Sequence, residues 1–299
     1  MSRSLNLLIG LLLVYAVGML APIVPTGKPT TALRFGFLDI GQGDAILIQT
    51  PDGYNALIDT GANIGRLRQE LARFLPMPMR LDLLVLTHPD LDHFGAAEEL
   101  VFSSEVGVVM TVDTAKSDWR LQGLNAAILQ RVGGIMYIND NHDFRLGCCT
   151  EFDVLWPGDN LITKRETEVN EVSVAFVVKY NKFRAFLGGD LGSEAELQAL
   201  HNCDPTLCEV YLHKLGHHGS KYSSSLDVLK ATQPRLAVVS AGWGNLYGHP
   251  HQDVLQRLSD LNVEVWRTDL QGTIYLVTDG LSFVSVESLK SLEKKELKI

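Results

Sequence analysis

The chain has 299 residues, 46% of them apolar and 20% charged, an ordinary globular balance that allows one large domain or two small ones with a sizeable core. Its formal net charge of −9, with nine histidines counted as neutral, argues against broad electrostatic binding of nucleic acid, which calls for a basic face. A nuclease is not excluded, because bound divalent ions would offset several carboxylates.

The first 24 residues, MSRSLNLLIGLLLVYAVGMLAPIV, set Arg3 ahead of an apolar run from Leu7 to Ala21 that stops at Pro22. As a helix this run spans roughly 22 Å, short of the ~30 Å hydrocarbon core, and it becomes marginal as a span once Leu5 and Ile23 are included. A secretory signal peptide and an uncleaved N-terminal anchor both fit. Either would put the body outside the cytoplasm, secreted, periplasmic or tethered to the membrane. Residues 25–32 read as a linker. The stretch LRFGFLDIGQGDAILIQTPDGYNALIDTG then predicts strand, glycine turn, strand, hairpin and strand. IGRLRQELARFL has helical spacing, LDLLVLT is a near-continuous buried strand, and GAAEELVF opens a helix. VGVVMTV is a strand and WRLQGLNAAILQRVG a helix ending at Gly133. GIMYIN, FRLG, EFDVLWP, EVSVAFVVKY and FRAFLGGD follow as strands, GSEAELQALH as a helix and CEVYLHKLG as a strand. SLDVLKAT and HQDVLQRLSDLN are helices on either side of the strand RLAVVSAG, and VEVWRTD and TIYLVTDG are the last strands. Residues 286–299 form a charged tail. This alternation predicts one α/β layered domain over residues 33–285. If the body is exported, Cys203 and Cys208 suit a short disulfide loop. A bridge between the adjacent Cys148 and Cys149 would be strained, and free buried thiols suit that pair at least as well.

The stretch LTHPDLDHFG, Leu86 to Gly95, leaves the buried strand with four ligand-type groups. His88, Asp90 and Asp92 can share one side of an extended segment, and a turn at His93 adds the fourth. Packed together they would repel, and a divalent cation removes the conflict; imidazole with carboxylate suits Zn²⁺, Mn²⁺ or Fe²⁺. A plain helix cap at Asp92 would need one such residue, not four. Other strand ends carry similar groups. Asp59 follows ALI, and Asp190 follows FLGG, where a carboxylate could bridge two metals. His217 and His218 lie in VYLHKLGHHGS, and His249 lies in the glycine-rich SAGWGNLYGHPHQ.

In order and wording, FLDIGQGDAILIQTPDG, LIDTG, LTHPDLDHFG, DVLWP, NEVSVAF, FLGGDL, HKLGHHGSKYSSS, YGHPH and WRTDLQGTI resemble the metallo-β-lactamase superfamily. Within it they are most similar to the C-terminal hydrolase domain of ComEC-type competence DNA-uptake channels. The resemblance runs over residues 35–275 and implies a four-layer αβ/βα sandwich with one or two divalent ions at the strand ends along one edge. It implies that His88 and Asp90 serve a first ion and Asp92, His93 and His217 a second, with Asp190 bridging. Asp59 would orient a ligand histidine. His218, Ser220 and His249 would face the substrate, and the turn Gly41–Asp44, with Gln42 and Asp44, would line the same edge. Asp90 and Asn170 stand where many members carry histidine. This makes the site richer in oxygen and shifts the expected ion from Zn²⁺ towards Mn²⁺. The channels carry many membrane spans and this chain one apolar segment, so DNA transport does not follow.

The expected chemistry is hydrolysis of a phosphodiester by a metal-bound hydroxide, with Asp92 at the reacting centre. His249 or His218 would protonate the leaving alkoxide, while Ser220, Lys221 and Tyr222 hold phosphate oxygens. The first reading is an exported or membrane-anchored nuclease, with single-stranded DNA as a substrate. The second is a hydrolase of a small or cell-envelope phosphodiester, a lactone or a thioester, which the negative charge favours. The third, a catalytically silent binding module, is opposed by the intact Asp92, His93, Asp190 and His217.

Overall fold

Alternation along the first strands decides the layering. In β1 (Leu33–Phe37), Leu33, Phe35 and Phe37 join Ile46 and Ile48 of β2 (Ile46–Gln49) and Ala56 and Ile58 of β3 (Asn55–Ile58) on one face. Leu47 and Leu57, one residue out of phase, face the other way. β4 (Arg80–Leu86) is apolar on both sides, with Leu83 and Val85 inward and Leu84 and Leu86 outward, hence its unbroken apolar run. The computed structural model describes residues 31–112, 121–158, 161, 168–203, 208–281 and 284–288. The N-terminal apolar segment and the end of the charged tail lie outside the described residues. Among the described residues no helix is long and apolar enough to cross a membrane.

β5 (Glu105–Thr111), β6 (Ile135–Tyr137), β14 (Ile274–Thr278) and β15 (Val284–Ser288) complete an eight-stranded sheet in the order β15-β14-β1-β2-β3-β4-β5-β6. β15 carries this sheet past residue 285. The connections from β3 to β6 are parallel, so each needs a crossover. α1 (Ile64–Leu71) provides the first, the single turn α2 (Leu91–Phe94) with α3 (Ala97–Ser103) the second, and α4 (Gln122–Arg131) belongs to the third. α1, α3 and α4 bury their apolar stripes on the outer face of this sheet.

The second sheet holds β7 (Phe144–Leu146), β8 (Thr150–Trp156), β9 (Ala175–Tyr180), β10 (Phe183–Leu187), β11 (Leu212–Lys214), β12 (Leu236–Val239) and β13 (Glu264–Arg267), in the order β13-β12-β11-β10-β9-β8-β7. Its inner face meets the first sheet through Phe152, Phe176, Phe183, Leu212 and Val238, and the Phe35 and Phe183 rings lie 5.8 Å apart. α5 (Ser193–His201), α6 (Leu226–Thr232) and α7 (Gln252–Asp260) cover its outer face. The result is a layered helix–sheet–sheet–helix fold.

β3, β4, β10, β11 and β12 all run towards one edge. The chain enters the domain at the other: Leu33 pairs with Thr278, the Tyr180 hydroxyl donates to Thr31 O (3.1 Å), and Lys182 N donates to Gly280 O (2.7 Å).

Two expectations change. The strand expected from Glu171 begins at Ala175, because Asn170–Val172 forms a 3-10 turn whose carbonyl at Asn170 accepts from the Ser173 hydroxyl (2.8 Å). The cysteine pairing is the reverse of that expected. Cys148 and Cys149 are joined, whereas Cys203 and Cys208 are buried thiols packed with Leu155, Ala199 and Leu200 under α5. Burial there raises the Cys203 thiol, with the Cys208 thiol beside it adding to the shift.

Candidate metal centre

β3 ends at Ile58, and Asp59 takes a left-handed backbone (φ 59°). Its carboxylate thereby reaches β4: Oδ1 accepts from Thr87 N (2.8 Å), and Oδ2 lies against Thr87 Oγ1 (2.7 Å) and His93 Nδ1 (2.8 Å). α2 supplies His93, starting at Asp90, whose carbonyl accepts from His93 N (2.9 Å). The Asp90 side chain makes no capping bond and does not belong to the ligand cluster described next.

Asp190 arrives from the end of β10. Its Oδ1 lies 3.2 Å from His93 Nε2 and its Oδ2 3.3 Å from His218 Nε2. The Asp190 N–H donates to Ser173 Oγ (3.2 Å), which fixes the turn. His218 follows β11 in a 3-10 turn, Gly216–Gly219, where His217 and His218 are both left-handed (φ 47° and 56°). This turns His218 inward. Its Nδ1 donates to Ser240 O (3.1 Å), and its Nε2 stands 3.2 Å from Asp92 Oδ2. Asp44, at the end of the glycine turn after β1, places Oδ1 3.4 Å from His218 Nδ1. Asp44, His93, Asp190 and His218 are all buried, and each offers a ligand atom within 4.8 Å of the others.

These residues fit a divalent cation. In His88, His93 and His218 the Nδ1 atom is engaged, by Thr87 Oγ1 (3.0 Å), Asp59 and Ser240 O respectively. The three Nε2 atoms, with Asp44 Oδ1 and Asp190 Oδ1, are buried without a hydrogen bond. Buried polar atoms rarely stay unpaired, so such a concentration calls for a partner. Engaging one ring nitrogen and freeing the other is how ligand histidines are prepared. Two N or O ligands on a tetrahedral cation lie about 3.3 Å apart. The 3.2 and 3.3 Å separations at Asp190 have that size. Two imidazoles with two carboxylates admit Zn²⁺ and Mn²⁺ alike.

The carboxylates make the field at this centre negative, which favours a positive charge there. Burial opposes charge on His93 and on His218, but Asp190 together with Asp59 at His93, and with Asp44 and Asp92 at His218, overcomes it, and each is held well above the usual histidine range. Burial likewise opposes ionisation of Asp190, and His218 and His93 overcome it. His88 is the exception: burial, then the His93 charge, push it down to about 3. Its ring packs on His93 with centroids 4.2 Å apart.

The other expected residues spread around this cluster. His217 is on the outer side, partly exposed, with Nε2 3.8 Å from Asp190 Oδ2. Asp92 is a third exposed; its carboxylate meets the cluster at His218, and its carbonyl accepts from Asp44 N (3.2 Å). Ser220 is buried, and its Oγ accepts from Tyr222 N (3.4 Å), so it does not face a substrate. Lys221 is exposed, with Nζ 5.1 Å from the Tyr222 ring centre. Gln42 Oε1 accepts from Gly242 N (3.3 Å), tying the glycine turn to the loop that carries His249. His249 lies 5.5 Å from His217 and 6.2 Å from His218, ring to ring. Burial, then the His218 charge, lower it to about 4, so it is neutral at pH 7. Asn170 contributes the backbone turn that holds Ser173. Asp44 and His218, expected to face the substrate, belong to the ligand cluster instead. Asp44 is buried because Lys214, itself buried in β11, meets its Oδ2 at 2.8 Å. Sequence reasoning missed Lys214. A lysine inside the apolar run YLHKLG was its only signal.

The family profile described as the metallo-beta-lactamase superfamily matches residues 38–243. ComE operon protein 3 of Bacillus subtilis (strain 168) is 32% identical, covering 79% of this chain and 32% of that protein. Recombination protein 2 of Haemophilus influenzae is 29% identical, covering 83% of this chain and 29% of its own length. The chain thus spans about a third of the length of these relatives. Among solved structures, a variant of the β-hydroxylase CmlA superposes with a TM-score of 0.50 at 14% identity, covering 84% of this chain and 54% of that one, a likeness of fold alone. With two facing sheets, buried ligand groups at their strand ends and a profile match over most of its length, this chain belongs to the metallo-β-lactamase superfamily.

Proposed function

We propose that this protein is a metal-dependent phosphodiesterase, exported or held at a membrane by its N-terminal apolar segment, and that it acts on nucleic acid strands. The observation that carries the reading is the buried cluster of Asp44, His93, Asp190 and His218, whose ligand atoms lie within 4.8 Å of one another and include an unpaired atom on each residue. The similarity to competence and recombination proteins supports a nucleic acid substrate. The run Leu7–Ala21 supports export or anchoring.

A divalent cation held by these four residues would supply charge for the phosphoryl oxygens and acidify a water. The chain's own groups set the rest. Asp59 and the Ser240 carbonyl fix the rings of His93 and His218. Lys214 neutralises Asp44 from behind. Asp92, bordering the cluster and a third exposed, can accept the proton of an attacking water. His249 is neutral at pH 7 and suits a hydrogen bond to the substrate better than delivery of a proton. Lys221, exposed next to His251, would meet a non-bridging phosphate oxygen.

The test is elemental analysis of the purified full chain beside an Asp190→Asn, His218→Ala variant. Bis(p-nitrophenyl) phosphate, a single-stranded oligonucleotide, a lactone and a thioester are then assayed. One or two equivalents of Mn or Zn, lost in the variant, with turnover of the diesters, is the expected result. Metal with turnover of only the lactone or thioester would replace the substrate class. Absence of metal after reconstitution would overturn the hydrolase.

A further inference from the structure

Beside the cluster, the surface carries a run of exposed apolar and aromatic side chains. Trp243 is 83% exposed, Leu246 100%, Tyr247 67% and Tyr222 72%. Tyr247 is joined to the site by direct contact, and Tyr222 through its neighbour Lys221. The Tyr247 ring stacks on His249 (5.7 Å, 23°), His249 meets His251 (4.9 Å), and His251 Nδ1 accepts from Lys221 N (3.2 Å) next to Tyr222. The loop that bears Trp243, Leu246 and Tyr247 is braced from inside. The Asn245 side chain donates to the carbonyls of Gly242 (2.9 Å) and His249 (2.6 Å) and accepts from His249 N (3.0 Å). The rings are therefore presented by a held loop.

We propose that Trp243, Tyr247 and Tyr222 form a stacking rim for unpaired nucleobases on either side of the scissile phosphate, with Lys221 beside it for the adjacent phosphate. This rests on the phosphodiesterase reading and adds to it how a strand is held. One observation favours bases as the occupant. The chain carries a net charge of −9, so its phosphate contacts contribute less than in a basic protein and the bases are the part of a strand left to hold. The Lys221 ammonium lies over one face of the Tyr222 ring, 5.1 Å from its centre, while Tyr222 stays 72% exposed. An exposed Trp–Leu–Tyr group also suits a lipid surface. The vesicle arm of the test separates that occupant from a nucleobase.

The test is binding to the full chain in nanodiscs, with metal chelated so that nothing is cleaved. The probes are a fluorescent oligothymidylate and an abasic deoxyribose-phosphate strand of equal length. The base-bearing strand is expected to bind at least about tenfold tighter, with a shallow salt dependence. Trp243→Ala and Tyr247→Ala should each weaken it by about tenfold and leave the abasic strand unchanged. Leu281→Ala, an exposed apolar residue at the opposite edge, should change neither. Equal binding of the two strands, or full binding by the Trp243→Ala, Tyr247→Ala pair, overturns the proposal. So does a pair that loses affinity for anionic phospholipid vesicles but not for the oligonucleotide. Because no cleavage is read, failure of bis(p-nitrophenyl) phosphate hydrolysis would sink the enzyme while leaving the rim standing, and the reverse result would do the opposite.

Discussion

Asp59 offers no ligand atom to the cluster, yet it decides which nitrogen of His93 does. With Thr87 on one oxygen and His93 Nδ1 on the other, it locks the ring. Asp59→Ala should lower metal affinity by about 10–100-fold, the usual effect of removing such a support, while chelator competition still finds a site. Undiminished affinity would assign Asp59 to folding alone. Lys214 makes the opposite case, a charge needed for burial. Lys214→Met should destabilise the protein by about 3–5 kcal/mol in urea unfolding, since it leaves Asp44 buried beside no lysine. Adding Asn at position 44 should recover most of that loss; no recovery would mean that lysine packing, not the pair, was at stake. Asp59 and Asp190 were legible in the sequence because each directly follows a buried apolar strand. His93 stood out in the dense His-Asp stretch. The inward turn of His218 and the outward place of His217 were not legible, because adjacent identical residues differ only in backbone direction. Asp44 reads as a surface turn until β11 brings Lys214 to it.

At the level of elements, close approach between turns shapes the site. Gly43 has φ +120°, and a Cβ there would sit 2.1 Å from the Asp92 carbonyl oxygen. The next residue, Asp44, donates its N–H to the same oxygen (3.2 Å). Gly43→Ala should therefore cost more than about 1 kcal/mol and pull Asp44 from the cluster. Thermal unfolding together with a metal titration would show both effects; a stability loss without an affinity loss would separate the turn from the site. The β7–β8 hairpin carries a pH response. Asp143 Oδ1 accepts from Val154 N (2.9 Å), and burial, then the Asp153 charge, raise Asp143 to about 6. The folded chain thus keeps a proton that the unfolded chain releases near pH 4. The associated stability is present at low pH and is lost as pH rises through 6. Asp143→Asn, which keeps the acceptor, should raise the melting temperature more at pH 8 than at pH 4. The gain should stay below about 1 kcal/mol, because the residue, although its carboxyl is packed beside Asp153, remains open to solvent that screens it. Equal gains at both pH values would remove the carboxylate as the cause. The strand order itself was not legible: period-two alternation tells which residues face inward, not that β14 returns to lie beside β1.

Across the whole molecule, the ligands are divided between the halves. Asp44 and His93 follow strands of the first sheet, and Asp190 and His218 follow strands of the second. A cation at a hundred times its dissociation constant should add about 2.7 kcal/mol to the stability of the entire domain. In calorimetry, chelation should move a single transition downward; two resolved transitions would show that the sheets unfold separately and that the cation does not join them. The layered architecture was readable from the alternation of elements, and its meeting face from which alternate residues are apolar. The dependence of the centre on both sheets also bears on how the chain is made. A ribosome releases Asp44 and His93 long before His218, and donors from one sheet alone do not complete the set. A chain interrupted anywhere before residue 218 has no such centre, however well its first half has folded. Acquiring an ion would thus be a late event in the life of each molecule, and metal content would report on the fraction of chains extended past residue 218.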